Sequence, residues 1–349
     1  MRPTYSRVLF CLSAGLFLAV PLRGQTVSPQ TRQDFCVYSP SPERANGKRI
    51  VFLAGDEEYR SEEAFPMLAK ILARHHGFTC TVLFSINPES GEIDPDNQSN
   101  IPGMESLDSA DLIVMGWRFR NPSEESMKHF IRYMTEGKPI IGIRTSTHAF
   151  QFPQTANAEL KKFTWNSSEW PGGFGRQVLG DTWVAHHGHH GQESTRGIIE
   201  PGVSSHPILT GVTDIWGPTD VYAVGKLPDD AEVLVRGQVI AGMKPNDPPL
   251  AGPKNDPMMP VIWTRQIQVV ANKPVTRVVC STIGSADDFE SEGLRRTLIN
   301  ACYWSMHLEA EIKENANVNF VDPYKPTKFG FGAFQKGKTP RDYDFKSQK

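Results

Sequence analysis

Four short apolar runs constrain the fold of this chain more than any other feature. RIVFLAG (49–55), FTCTVLF (78–84), ADLIVMG (110–116) and KPIIGIR (138–144) are short apolar segments bounded by turn residues. Such runs suit strands covered on both faces, as parallel strands are. Between the first two, Ala64, Leu68, Ile71 and Leu72 recur at helical spacing, and Gly77 stands where that helix would stop. Between the third and fourth, Asn121, Pro122 and Glu124 supply a cap, a first-turn proline and a capping-box acid. Met127, Phe130, Ile131 and Met134 make the buried stripe of that helix, and Gly137 ends it. TRVVCSTIG (276–284) and a helix with Leu294, Leu298, Ala301 and Cys302 add one more unit. Strands alternating with single helices imply right-handed crossovers, hence a doubly wound α/β domain with a mostly parallel sheet and helices on both faces.

The remaining segments flank or interrupt that pattern. Arg2, Arg7 and the apolar VLFCLSAGLFLAV (8–20), too short to span a bilayer comfortably, read as a signal peptide over 1–24. Export to a periplasm or the outside, with no membrane insertion of the mature chain, is the expectation. Residues 25–47 read as an extended lead-in, 48–310 as the domain and 311–349 as a tail pinned by Phe329, Phe331 and Phe334. Between Thr145 and Pro274 the chain is loop-rich and looks like an elaborated cap over the sheet. Setting aside Cys11, the cysteines are Cys36, Cys80, Cys280 and Cys302, with no C-x-x-C, so thiol redox chemistry and cysteine-held zinc have no support. A formal charge of -2 provides no field that would attract nucleic acid.

In open α/β sheets, ligands bind beyond the carboxyl ends of the strands. Three strand ends here are polar, offering Asp56, Glu57, Tyr59 and Arg60 after the first, Arg118 after the third, and Arg144, Thr145 and His148 after the fourth. As a set they favour a polar ligand; singly, each suits a salt bridge or a cap. IIGIRTST lacks the glycines of a nucleophile elbow, which argues against a serine or cysteine nucleophile. HHGHHG (186–191) contains four of the ten histidines. Gly188 and Gly191 disfavour a helix, and in an extended segment His187 and His189 share a side, the His-x-His arrangement of many metal sites. A third ligand would come through the fold from His148, His206 or Asp220, for a divalent metal such as zinc. A solvated loop, a metal site, and acid/base or sugar contact all remain open for this stretch. Trp165, Trp170, Phe174 and Trp183, beside Arg176, offer flat faces and hydrogen bonders of the kind a sugar ring uses.

GIRTSTHAF (142–150), the histidines after Trp183, SHPILTGVTDIWGPTDVYAV (205–224) and RVVCSTIGSADDFESEGLRRTLINACYW (277–304) together resemble the ThuA-like, or trehalose-utilisation, family over residues 48 to 308. The resemblance implies a flavodoxin-like fold, that of class I glutamine amidotransferases, without the amidotransferase nucleophile. The chain would therefore not be a glutaminase. It also implies that Trp183 with His186 or His187, His206 with Pro207 and Gly211, and Asp220 with Tyr222 occupy family positions. Arg144 and Ser285 stand where the family often has histidine. A sugar or keto-sugar is the implied small-molecule partner, with His187 as acid/base or metal ligand, His148 and Asp220 as its companions, Arg118, Arg144 and Arg176 orienting oxygens, and Trp170 or Trp183 as stacking platform. Removing a proton beside a keto group needs a base and a cation at the developing oxyanion. The alternative is a sugar- or protein-binding module on the same fold without turnover. Neither reading fixes an oligomeric state.

Overall fold

A computed structural model of the chain describes residues 32–346, so the signal-peptide expectation lies outside the described residues. From Gln33 on, the described residues form a single unit. In chain order it contains β1 (Phe35–Tyr38), β2 (Arg49–Gly55), α1 (Ser61–His76), β3 (Thr79–Leu83), β4 (Leu112–Trp117), α2 (Glu124–Thr135), β5 (Ile140–Ile143) and α3 (Ala158–Lys161). These are followed by β6 (Ala185–His186), β7 (Ser194–Ile199), β8 (Ile215–Gly217), β9 (Tyr222–Ala223), β10 (Ala231–Ile240), β11 (Met259–Ile267), β12 (Thr276–Ser281) and α4 (Glu292–Ser305). Among the described residues no helix is long and apolar enough to cross a membrane.

Ten of these strands form one sheet in the order β1-β3-β2-β4-β5-β12-β11-β10-β7-β8. Its centre, β3-β2-β4-β5-β12, is parallel throughout. The five runs singled out by their apolarity are these five strands, and the reason is burial on both faces. Ile50, Phe52 and Ala54 of β2 pack in one layer with α1 and α4, whereas Val51 and Leu53 pack in the opposite layer with α2. Local signals set the helix ends. Gly77 closes α1 in the left-handed conformation, φ 79°, with its N–H on the Leu72 carbonyl. The α2 cap falls on Ser123, whose hydroxyl accepts from the Ser126 N–H at 3.2 Å, two residues beyond the expected Asn121.

Other segments depart from the sequence reading. Part of the lead-in becomes β1, which pairs antiparallel with β3 and buries Cys36 and Tyr38. The supposed cap contributes β7, β8, β10 and β11, which continue the sheet past β12 with every neighbour antiparallel. The tail is held by the buried Phe329, while Phe331 is 61% exposed and rests on Arg118. Its other anchors are Tyr343, stacked on Phe84, and Phe345, edge-on to Tyr38. All four described cysteines are buried thiols.

The order of the parallel strands reverses between β2 and β4, with β3 on one side and β5 on the other. A ligand site is expected at the carboxyl ends flanking that reversal. Just beyond the ends of β2, β4 and β5, Arg60, Phe119 and Arg144 have φ of 61°, 52° and 47°. Left-handed backbone at non-glycine residues is strained and gathers at functional sites. Three of them along one sheet edge mark where the chain is forced.

Glu62 lies behind that edge in the first turn of α1, with Arg60 at 3.4 Å. Burial and the nearby Asp56 raise its carboxyl to about 8, against the opposing pull of Arg60. The unfolded chain ionises Glu62 near the ordinary carboxylate range and the folded chain only near 8, so stability held below that range is lost as pH rises through 8. Glu62→Gln is expected to come within about 1 kcal/mol of the parent at pH 5 and to exceed it by roughly 4 kcal/mol at pH 8.5, read by chemical denaturation at both pH values.

Candidate functional site

The loop after β2 shows why its polar residues are there. Asp56 accepts from the backbone N–H groups of Glu58 at 3.1 Å and Ser61 at 3.2 Å, and also from that of Tyr59, so it shapes the entry to α1. Glu57 spans the strand-order reversal, taking Arg118 at 2.8 Å and Arg120 at 2.7 Å. Arg60 is buried and donates to the carbonyls of Glu57 and Gly330. Glu58 and Tyr59 are the residues of this loop that face the centre of the site.

That centre is Asp220, fully buried, with one carboxylate serving three cations or imidazoles. Arg144 reaches Oδ1 at 3.1 Å, His190 Nδ1 lies 3.0 Å from Oδ1, and His186 Nδ1 lies 2.7 Å from Oδ2. The imidazole contacts and Arg144 hold Asp220 at about 2 although burial pushes it up, so it is anionic at neutral pH. Arg144 continues to the Asp220 and Thr282 carbonyls at 2.8 and 2.6 Å and to the Tyr59 hydroxyl at 3.3 Å. Its guanidinium lies 3.8 Å from the Tyr222 ring centre and 4.5 Å from that of Tyr59. Burial opposes its charge, yet Tyr222, Tyr59 and Asp220 keep Arg144 well above the ordinary arginine value.

Two backbone devices bring His186 and His190 to this carboxylate. The short ladder of β6 with β9 sets His186 opposite Tyr222, two residues past Asp220. The N–H groups of His187 and Gly188 then both donate to the Val221 carbonyl at 2.9 Å, and a turn over 189–193 returns the chain to His190. A Cβ on Gly188 would lie 2.9 Å from Asp220 Cβ, so glycine permits this approach. On the other side, Asp288 pins Thr219 through its N–H at 3.0 Å and its hydroxyl at 2.6 Å. The side chains of His186 and His190 are 35% and 34% exposed, which leaves them open to a ligand.

Around the centre, His190 Nε2 lies 3.4 Å from Glu58 Oε1. Burial raises the Glu58 carboxyl, against Arg118, Arg144 and His190. Phe329 from the tail packs against His190 and Tyr59, with ring centres at 5.1 and 6.0 Å. Trp183 packs on Tyr222 at 4.6 Å and on both His148 and His186 at 5.1 Å. Arg118, half-buried, lies between the rings of Phe119 and Phe331 at 4.6 and 4.9 Å.

The structure therefore brings together Tyr59, Arg144, Trp183 and Asp220 of the sequence-derived set, with Glu57, Arg118 and His148 close by. It does not bring together His187 and His189. His187 Nε2 faces the Lys254 carbonyl at 2.7 Å, and His189 is exposed, its N–H donating to Glu193 at 2.6 Å. The alternation argument fails because the segment turns at Gly188 instead of extending through it. His148 is separated from the cluster by Trp183; burial, with Arg118, Arg144 and His186 nearby, holds it well below the ordinary histidine value and keeps it neutral. Trp170 packs on Phe163 at 5.5 Å, and Arg176 donates to the Gly180 carbonyl at 2.9 Å and meets Asp181. His206 caps a short turn through Ile208 and packs on Trp304. Absent from that set are His190, Glu58 and Phe329, while His186 and Tyr222 stood in it only as positions the family resemblance implied; no local signal pairs His186 with His190.

His186, His190 and Asp220 can each turn one ligand atom to a common point, those atoms lying within 4.8 Å of one another. Two imidazoles and a carboxylate suit a divalent first-row metal, and equally suit proton transfer.

Fold and site together define an α/β protein with an imidazole–carboxylate centre at the carboxyl edge of its parallel strands. No family model and no curated protein matches the chain. Among solved structures it is similar to a ThuA-like protein of Bacteroides uniformis ATCC 8492, at 17% identity over 76% of this chain and 92% of that one, TM-score 0.44. It is also similar to a ThuA-like protein of Parabacteroides merdae ATCC 43184, at 12% identity over 86% and 99%, TM-score 0.48. Likenesses at this level carry no weight for the chemistry, which rests on the geometry of the site.

Replacing Arg144 leaves the buried Asp220 with its two imidazole contacts alone, and losing one partner of a buried pair costs about 3–5 kcal/mol. Arg144→Met is expected to lower unfolding free energy by that amount in urea titration, and Arg144→Lys to recover only part of it, because lysine cannot fork to two carbonyls and a carboxylate.

Proposed function

We propose that this chain is an exported ThuA-like protein that processes a sugar or keto-sugar at the carboxyl edge of its sheet. The observation that carries the reading is the convergence of two accessible imidazoles on one buried carboxylate, anionic at neutral pH, beside the strand-order reversal. Asp220 fixes the orientation of His186 through Nδ1, leaving Nε2 as the atom available to a substrate proton or oxygen. Glu58, beside His190, is a second proton-carrying group, and carboxyls whose surroundings push them apart, as Asp220 and Glu58 are pushed, divide into a fixed anion and an acid/base. The half-buried guanidinium of Arg118 is the cation placed to meet negative charge developing on a carbonyl oxygen. Trp183 offers a ring face beside these groups, suited to the apolar face of a sugar. With this division of roles, the site can move a proton next to a carbonyl or hydroxyl carbon, the elementary step of isomerising or eliminating keto-sugars.

The test is a panel of trehalose, other disaccharides and their keto derivatives, followed for binding by calorimetry and for turnover by NMR. Turnover of at least one member is expected, with His186→Ala and Glu58→Gln each lowering it about 10²- to 10⁴-fold, while His189→Ala stays near the parent. Binding without turnover would reassign the site to a sugar-docking role; neither binding nor turnover, or full activity in His186→Ala, would refute the reading.

A further inference from the structure

We propose that His186, His190 and Asp220 hold a divalent first-row cation, with Glu58 as the outer partner that orients His190. The inference shares residues with the proposed function but does not depend on a sugar being the substrate.

Three points carry it. The first is the donor set: two neutral imidazoles and a carboxylate are the ligands that zinc, iron and manganese take in catalytic sites, where three protein atoms leave further positions open. The second is spacing. His186 Nδ1 and His190 Nδ1 stand 2.7 and 3.0 Å from the Asp220 oxygens, and one atom of each residue falls within a 4.8 Å group. Ligands about 2.1 Å from one ion in neighbouring positions are roughly 3.0 to 3.4 Å apart, so only small side-chain movement is needed. The third is the surroundings. Glu58 Oε1 lies 3.4 Å from His190 Nε2, the nitrogen away from Asp220, as in the carboxylate–histidine–metal arrangements that fix tautomer and ring orientation. Asp220 is held on its other side by Arg144, and Thr219 before it is anchored on Asp288.

His186 Nδ1 and His190 Nδ1 both face the Asp220 carboxylate, the side on which a cation would sit. With a cation, each imidazole donates a lone pair inward, and His190 keeps a single Nε2–H for Glu58. The histidines are open to solvent while Asp220 is fully buried, so an ion can enter from the imidazole side onto a pre-set anion. When bound, it would act as a Lewis acid toward a substrate oxygen.

The experiment uses the full chain, stripped with a chelator and titrated with Zn²⁺ and separately with Mn²⁺ by calorimetry, with metal content of the unstripped protein measured by mass spectrometry. About one equivalent with micromolar or tighter affinity is expected for one of these ions. His186→Ala and His190→Ala should each weaken it at least 100-fold with an unchanged circular dichroism spectrum. Glu58→Gln should weaken it about 10- to 100-fold. His187→Ala and His189→Ala should bind as the parent does. A parent chain that takes up neither ion, or affinity lost in the His187 or His189 variants but kept in His186→Ala, overturns the proposal. Cation binding without any sugar turnover would leave it standing while removing the proposed function; sugar turnover by metal-free protein, unaffected by added ion and with no ion bound, would overturn this inference alone.

Discussion

The buried pairing of Arg144 with Asp220 is the interaction on which the rest of the site depends. One side chain, springing from the end of β5 in a left-handed backbone, meets the carbonyl beyond β12, the carboxylate and carbonyl of Asp220, and two tyrosine faces. Burying a charge is unfavourable unless its hydrogen-bonding capacity is met. Here the cation contacts lie on three segments of the chain, at Tyr59, at Asp220 with Tyr222 and at Thr282, so satisfying the guanidinium also fixes the distances between those segments. The stretch carrying Asp220 is thereby locked to the parallel core although it is remote from it in sequence. A hydrophobic contact of equal area could hold the two together but, being non-directional, would not set the orientation of a carboxylate.

Polar groups at the strand ends divide accordingly into those that build and those that face outward. Asp56 is consumed by three backbone N–H groups, Glu57 by two arginines, and Arg60 by two carbonyls. Each compensates a backbone or charge that the sharp turn off a buried strand would otherwise leave unpartnered. What these groups leave over is small: Glu58, the accessible edge of Arg118, and two imidazoles. The tail completes the enclosure by placing Phe329 against Tyr59 and His190, with the Gly330 N–H on the Glu58 carbonyl at 2.7 Å.

How much of this could be read from the sequence follows from the range of the forces involved. The parallel strands were legible because burial on both faces writes itself into consecutive residues, as Ile50 to Ala54 show. β10 and β11 were not, because they are half-covered, interrupted by Gly237 and Pro260, and surrounded by turn residues that read as loop. The polar strand ends were legible as a site but not in their individual roles, since partners such as Arg120 for Glu57 are set by the fold. The histidine stretch shows the limit most clearly. Alternation assigns His187 and His189 to one side only if the backbone is extended. The Val221 carbonyl, accepting two successive N–H groups, turns the chain instead and exchanges that pair for His186 and His190. No local rule contains the Val221 carbonyl.

The division between a buried anion and accessible imidazoles has a consequence for how the site can work. Asp220 is ionised, enclosed and gripped from two sides, so neither its position nor its charge need change when a ligand arrives. His186 and His190 can each exchange a hydrogen bond to it for a bond to something else, because a third of each side chain already faces outward. Reorganisation in a low-dielectric site is where much of a reaction barrier lies, and a charge fixed in advance avoids it. The strain at Arg60, Phe119 and Arg144 is consistent with that arrangement. The fold holds three unfavourable backbone conformations at one edge: Arg144 grips the anion itself, Arg60 holds the tail through the Gly330 carbonyl, and Phe119 packs on His148 and Arg118.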